Sequence, residues 1–287
     1  MRRRAFIFGL GFTGKRYAAA LQAEGFQSIG TTRSGKPVGE IESIAYGPDA
    51  PVLRNLAVLD DATHVLLSVP PNSDGDPVLH DFGDRLAASK NLKWLGYLGT
   101  TGVYGDRDGG EVDEASALTP SGERGARRVA AEAGWLKLHE KHGLPLHIFR
   151  LAGIYGPGRN ALAQTKAGTA RRLIKPGHKF SRIHVDDIVQ VLLASMERPN
   201  PGAAYNVCDD LPSESADVSL YAADLLNIEP PPPIQFADAE LSPMARSFYQ
   251  DNKTVSNARI KQELGVELRY PTYREGLHAL LSDYSAG

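Results

Sequence analysis

The 287 residues include one cysteine, Cys208, so no intramolecular disulfide can form and a reducing compartment suits the chain. Neither sign of charge is in excess. Lys and Arg number 32 against 34 Asp and Glu, a net charge of −2 that gives no reason to expect nucleic acid or an anionic membrane as partner. No apolar run approaches the length of a transmembrane helix. The start Met1-Arg2-Arg3-Arg4 imitates a signal peptide, but the apolar run behind it is short, is cut by Gly9 and Gly11, and has no cleavage pattern. These absences lead to the expectation of a cytoplasmic protein. No Ser–His–Asp or Cys–His arrangement can be read, and no cluster has metal-ligand spacing, so no metal is expected. The remainder is ordinary: 42% hydrophobic and 23% charged residues, enough for a full α/β core in one or two domains.

What is present begins at Arg4-Ala5-Phe6-Ile7-Phe8, a short run of β-formers that leads into Gly9-Leu10-Gly11-Phe12-Thr13-Gly14. A helical pattern follows at once. This is the order a dinucleotide-binding turn needs: Gly9 for the tight turn, Gly11 for close approach of a pyrophosphate, Gly14 for helix-on-strand packing. Phe12 and Thr13 open the helix whose N–H groups would face the phosphates, and count with the glycines as cofactor-binding. A second strand, 26–32, ends at Arg33. An acidic residue there would bond a ribose 2′-hydroxyl. Thr31-Thr32-Arg33-Ser34 instead offers hydroxyls and a guanidinium suited to a 2′-phosphate, so NADP is expected in preference to NAD. The alternative for Arg33 is a solvated loop residue.

Further strands are expected at 44–46, 64–69, 93–98 and 146–151, alternating with helices at 13–24, 78–89 and 122–142. That alternation implies a doubly wound parallel sheet with helices on both faces. Ligands bind beyond the carboxyl ends of such strands, which places Ser68 and the loop 70–76 near the cofactor. Beyond Gly156 the texture changes. Residues 159–179 are basic and irregular, helices follow at 183–196, 215–228, 257–264 and 273–281, and Pro230 to Pro233 form a stiff connector. The acidic loop of Asp106, Asp108, Glu111, Asp113 and Glu114 reads as a solvated flap.

Six stretches, in order, resemble the extended short-chain dehydrogenase/reductase family, the NAD(P)-dependent epimerase/dehydratase group. They are the Gly9/Gly11/Gly14 turn, Thr100-Thr101-Gly102-Val103-Tyr104-Gly105, Arg150-Leu151-Ala152-Gly153-Ile154-Tyr155-Gly156-Pro157-Gly158, Ile183-His184-Val185-Asp186-Asp187, Tyr205-Asn206-Val207, and Leu264-Gly265 with Tyr270-Pro271. The resemblance implies a Rossmann-like domain over 1–156, with 183–210 returning to it. It also implies a smaller substrate-binding part from 157–182 and 211–287. Thr100 matches the family's substrate-binding Ser/Thr. Tyr104 and Tyr155 sit on loops expected to face the cleft, the first as a candidate proton donor and the second as a substrate contact. Helix pairing in that family implies a homodimer by analogy.

The departures are as informative. The glycine pattern is that of the family's atypical members. Counting back from Glu132, the family's catalytic tyrosine position falls on Arg124 and its lysine on Arg128. The family's lysine lowers the tyrosine pKa, and the phenolate exchanges a proton with substrate. Arginine stays protonated and cannot act as a base. Arg128 is therefore expected to hold a cofactor ribose hydroxyl or a substrate anion, and Arg124 a carboxylate or phosphate of a ligand such as the substrate, the alternative for both being surface arginines one turn apart. Tyr249-Gln250-Asp251-Asn252-Lys253 repeats the Tyr-x-x-x-Lys spacing far from the expected helix and reads as coincidence. Two functions follow. One is an NADP-binding oxidoreductase or epimerase acting on a small carbonyl, hydroxyl or sugar-like substrate, with Thr100, a water or another tyrosine in place of the missing phenol. The other is an NADP-binding sensor or scaffold without catalysis.

Overall fold

Strand β1 (Arg4–Phe8) runs up to Gly9, and helix α1 (Phe12–Ala23) starts directly behind the turn. The computed structural model describes residues 3–48, 50 and 57–285, so Met1 and Arg2 of the basic start lie outside the described residues. In chain order follow β2 (Gln27–Thr32), β3 (Glu42–Ala45), α2 (Ala57–Asp60), β4 (His64–Leu67), α3 (Pro77–Ala87) and β5 (Trp94–Thr100). A 3-10 turn (Thr101–Tyr104), β6 (Glu111–Val112), α4 (Glu123–His142), β7 (Leu146–Leu151) and β8 (Gly153–Tyr155) come next. Then come α5 (Ala161–Lys166), β9 (Arg172–Ile174), β10 (Arg182–His184), α6 (Val185–Glu197), β11 (Ala204–Val207) and α7 (Ser215–Leu225). The chain closes with β12 (Pro233–Gln235), α8 (Pro243–Ser247), β13 (Thr254–Val255), α9 (Ala258–Leu264), α10 (Tyr273–Leu280) and α11 (Ser282–Ser285).

Seven strands form one parallel sheet in the order β11-β7-β5-β4-β1-β2-β3. The order reverses between β1 and β4. That is the switch point, where the connections leave in opposite directions and a crevice opens beyond the strand ends. Both faces are covered, which is why the strands read as apolar runs rather than alternating ones. On one face Phe6, Phe8, Val65, Leu67, Leu95 and Tyr97 meet Val78 and Phe82 of α3 and Ala131 and Trp135 of α4. On the other, Trp94 lies beside Tyr17 of α1, and its indole N–H donates to Ser195 Oγ at 3.0 Å.

The chain divides into two compact units. The first comprises Met1–Thr100, Glu123–Arg150 and Val189–Tyr205; the second comprises Thr101–Gly122, Leu151–Ile188 and Asn206–Gly287. The second contains three small parallel ladders, β8 with β10, β9 with β12, and β6 with β13. Its apolar cluster brings Tyr155 and Leu162 together with Val218 and Ala222 of α7 and Tyr273, Leu277 and Leu280 of α10. The stretch expected to be irregular thus contains α5 and β9. Pro233, the last of the four connector prolines, opens β12 opposite Arg172, an edge position where a missing N–H costs no ladder bond. Among the described residues, no helix is long and apolar enough to cross a membrane.

Candidate functional site

The first unit builds a cradle at the switch point. Gly9 has φ +96°, a left-handed conformation that L side chains rarely adopt, and its N–H donates to Thr31 Oγ1 at 2.9 Å. Leu10 N–H donates to Thr31 O at 2.8 Å, so the buried Thr31 holds the turn with both side chain and backbone. At Gly14 a Cβ would collide with Gly9 O, so only glycine lets α1 approach the turn this closely. Gly11 is the N-cap of α1 and has no side chain to satisfy the first N–H groups. A Cβ there would meet nothing within 4 Å, and the first turn of α1 has no acidic residue. Uncapped N–H groups, the positive end of the helix dipole and open space above Gly11 suit a pyrophosphate. Thr13 is buried. Ser68 follows β4; its N–H bonds Phe8 O at 2.8 Å, and a Cβ on Gly9 would sit 3.4 Å from its carbonyl carbon.

Arg33 is exposed directly after β2. The loop it begins is fastened to β3. Ser43 Oγ donates to Lys36 O at 2.6 Å and lies 3.0 Å from Thr32 Oγ1, and Lys36 N–H donates to Ser34 Oγ at 3.3 Å. Arg33, Ser34 and Lys36 therefore share one fastened stretch, Arg33-Ser34-Gly35-Lys36, with no carboxylate in it; Glu40 stands further along the same loop. Lys36 escaped the sequence reading, although Arg33-Ser34-Gly35-Lys36 carries a second cation three residues on.

At the far side of the switch point, Thr100 is the half-buried last residue of β5. Arg124 and Arg128 lie one turn apart on α4, with Glu132 a further turn on. Arg124 is exposed at the N-terminal end of the helix, where a cation is opposed by the dipole. Its neighbour Arg127 pairs with Glu123 at 2.7 Å. Arg128 is half-buried; its Nη1 donates to Leu98 O at 2.8 Å and to Tyr97 OH at 3.1 Å. Arg150, at the end of β7, donates from Nε and Nη2 to Glu132 Oε2 at 3.1 and 2.9 Å, with both side chains buried. Burial pushes the Glu132 carboxyl up, and the Arg150 bonds oppose that push.

The second unit contains the remaining expected residues. Tyr104 is fully buried, and its hydroxyl donates to Asn206 Oδ1 at 2.7 Å, while Asn206 N–H donates to Glu114 Oε1 at 2.7 Å. Tyr155 is buried with its ring edge-on to His184, its hydroxyl 3.4 Å from Thr272 O. Burial raises that phenol well above the ordinary tyrosine range. Asp187 accepts the N–H groups of Arg269 and Tyr270 at 2.7 and 3.2 Å. Asp106, in the acidic loop, accepts Asn252 N–H at 2.7 Å, and Asp113 caps its own turn through Ser116. Among the described residues no group of His, Cys, Asp and Glu could hold a metal ion. The Tyr249 to Lys253 stretch is not helical; Lys253 pairs with Asp251 at 3.3 Å.

Residues 85–208 match the model of the NAD dependent epimerase/dehydratase family. The chain is 29% identical to Protein YeeZ of Escherichia coli (strain K12), over 94% of this chain and 97% of that protein. It is 49% identical to a functionally unknown conserved protein from Silicibacter pomeroyi DSS, whose solved structure covers 99% of this chain and 100% of its own, with a TM-score of 0.89. UDP-glucuronic acid 4-epimerase from Bacillus cereus, solved with UDP-glucuronic acid and NAD, shares the fold at 14% identity, with coverage of 98% and 99% and a TM-score of 0.78. The ordered motifs, the seven-stranded parallel sheet and the family match agree: residues 85–208 carry the pattern of the NAD dependent epimerase/dehydratase family within a Rossmann-like α/β fold.

Proposed function

We propose that the chain binds NADP through its first unit and acts as an oxidoreductase or epimerase on a small, anionic carbonyl- or hydroxyl-bearing substrate. The observation that carries the cofactor half is the start of α1 at Gly11, which has no side-chain cap, combined with the cationic stretch Arg33-Ser34-Gly35-Lys36 directly after β2. Gly9, Gly11, Phe12, Thr13 and Gly14 would receive the pyrophosphate, with Ser68 bordering the same turn. Arg33 would take the 2′-phosphate, since a planar guanidinium matches phosphate oxygens in pairs. Arg128 would hold a ribose hydroxyl. The nicotinamide, when bound, supplies hydride chemistry.

The substrate half rests on Arg124 and Thr100. Arg124 is an exposed cation at a helix end that disfavours cations, a cost that an anionic substrate group would reverse. Thr100 would bond the substrate oxygen. Because neither Arg124 nor Arg128 can accept a proton, the substrate's proton passes through the Thr100 hydroxyl and water. In this reading Tyr104, whose hydroxyl is committed to Asn206, serves by fixing the turn after Thr100. A sugar nucleotide is the substrate class favoured by the Bacillus cereus epimerase, which shares the fold and is solved with UDP-glucuronic acid.

The test of the cofactor assignment is Arg33→Ala. NADPH affinity is expected to fall about tenfold or more while NADH affinity stays level; unchanged NADPH binding would show the assignment to be wrong. Arg124 and Arg128 also favour a second reading, a cofactor sensor without turnover. Product analysis over a panel of sugar nucleotides separates the two, because a cofactor-recycling epimerase leaves no net change in cofactor absorbance.

A further inference from the structure

Packing alone does not explain why position 97 is a tyrosine. Tyr97 is fully buried in the cluster that contains Phe82, Leu95 and Trp135. Phenylalanine would fill that space with no hydroxyl to satisfy. The hydroxyl meets Arg128, whose Nη1 donates to it at 3.1 Å and to Leu98 O at 2.8 Å, with the guanidinium carbon 5.8 Å from the Tyr97 ring centroid. Burial pushes the Tyr97 phenol up to about 12 against the pull of Arg128. At neutral pH it is therefore a neutral phenol that accepts from the guanidinium through a lone pair.

The neighbouring residues are tied to the same helix. A Cβ on Gly99 would sit 3.0 Å from Glu132 Oε1, and Glu132 is held in place by Arg150. Tyr97, Leu98 and Gly99, the three residues that lead to Thr100, are thus all fixed against α4, through Arg128 and then Glu132.

We infer that Tyr97 is a positioning residue for Arg128, and that Arg128 so held binds the cofactor on its nicotinamide side in place of a lysine. The inference rests on the reading that the chain binds a nicotinamide dinucleotide over the Gly9 to Gly14 turn. Guanidinium geometry makes the two cations unequal. Arginine has five donors in one plane: Nη1 spends its two on Leu98 O and Tyr97 OH, which directs the Nε and Nη2 edges to a ligand. A lysine ammonium has three donors on one atom at the end of a flexible stem, so it bonds strand and ligand from a single point and not from separate edges of a rigid plane. Arg128→Lys, although it restores the family's residue, therefore weakens cofactor binding.

The experiment titrates the full chain with NADPH and with NADH, following cofactor fluorescence, and records Tm for each variant. Tyr97→Phe keeps the ring; it is expected to raise Kd for both cofactors about three- to tenfold, with little change in Tm and no change in preference between them. Arg128→Lys is expected to raise both at least as much, and to add little in the Tyr97→Phe background because the two residues act as one unit. Wild-type affinity in Tyr97→Phe, or effects that simply add in the double variant, overturns the inference. If Tyr97→Phe does not fold, Arg128→Lys decides alone: equal or tighter binding overturns the inference, and weaker binding with unchanged preference supports it. A wild type that binds neither cofactor defeats the proposed function itself. One whose NADPH affinity depends on Arg33 but not on Tyr97 defeats only this inference.

Discussion

Burial moves His147 in the first unit and Asp209 in the second in opposite directions, although the first also buries Glu132 and the second His178 and His184. The first buries histidines as neutral rings. His147 is fully buried, its Nε2 accepts Asn200 N–H at 3.0 Å, and its ring stacks on Trp94 at 21°. Burial pushes it down to about 4, and His64 is likewise pushed to about 4 by burial with Lys93 and Arg3 nearby. The second unit buries carboxyls. Asp209 is 1% exposed and its Oδ2 has no hydrogen-bond partner among the described residues; burial pushes it up to about 7. Asp187 is pushed up to about 6 by the same cause, although two backbone N–H groups oppose it. Burial favours the neutral form in both units, lowering a histidine and raising a carboxyl, and each leaves a buried polar atom without a hydrogen-bond partner among the described residues, such as Ser28 Oγ in the first.

The largest expected effect tests the buried Glu132–Arg150 ion pair of the first unit. Glu132→Ala leaves Arg150 buried without its partner and should cost about 3–5 kcal/mol in chemical denaturation. A loss of under about 1 kcal/mol would mean that the pair behaves as a surface bridge. Next is the acid limb. His147 binds a proton near 6.5 when unfolded and near 4 when folded, so the unfolded state holds more protons between those values and stability falls as pH drops through that window. The loss should be roughly 2–3 kcal/mol by pH 4, read from urea midpoints and from Trp94 fluorescence, and His147→Gln should flatten it. If the variant keeps the full acid limb, His147 is not its source.

The smallest effect has the opposite sign and belongs to the second unit. Asp209 titrates at 3.8 unfolded and about 7 folded, so the folded state holds the extra proton between them. Stability therefore falls as pH rises through that window, and the penalty is complete above pH 7. Asp209→Asn keeps the acceptor for Leu211 N–H and removes the charge, with an expected gain of about 1–2 kcal/mol at pH 8 and little at pH 4. Equal gains at both pH values would show that ionisation is not the cause.

The same contrast sets how far each unit could be read in advance. In the first, long periodic segments carried the signal. The expected helix 122–142 is Glu123–His142, the expected strand 146–151 is Leu146–Leu151, and the glycine spacing gave the turn. In the second, β9, β10 and β12 are three residues each, too short for any period to show. Asn252 shows what such a region uses instead. Its backbone accepts Arg107 and Gly109 N–H groups, its side chain bonds Gly177 O and Lys179 N–H, and its N–H meets Asp106, contacts spanning up to 146 residues of chain. The candidate site divides in the same way. Gly9, Gly11 and Gly14 were visible because one local turn uses them together, and Arg33 because it directly follows a strand legible in the sequence. The contact of Tyr97 with Arg128 was hidden, because in sequence Tyr97 is one more aromatic residue in an apolar strand.

Sequence by itself determined the α/β class, the glycine turn between β1 and α1 and the arginines at positions 124 and 128, because each depends on local periodicity or on residue identity at a fixed spacing. Only tertiary structure decided what those arginines touch. Arg128 on Leu98 O and Tyr97 OH, and Glu132 on Arg150, are contacts between residues 18 to 31 apart in sequence, formed where a helix lies across strand ends. No local pattern encodes that meeting; the packing of α4 on the sheet creates it.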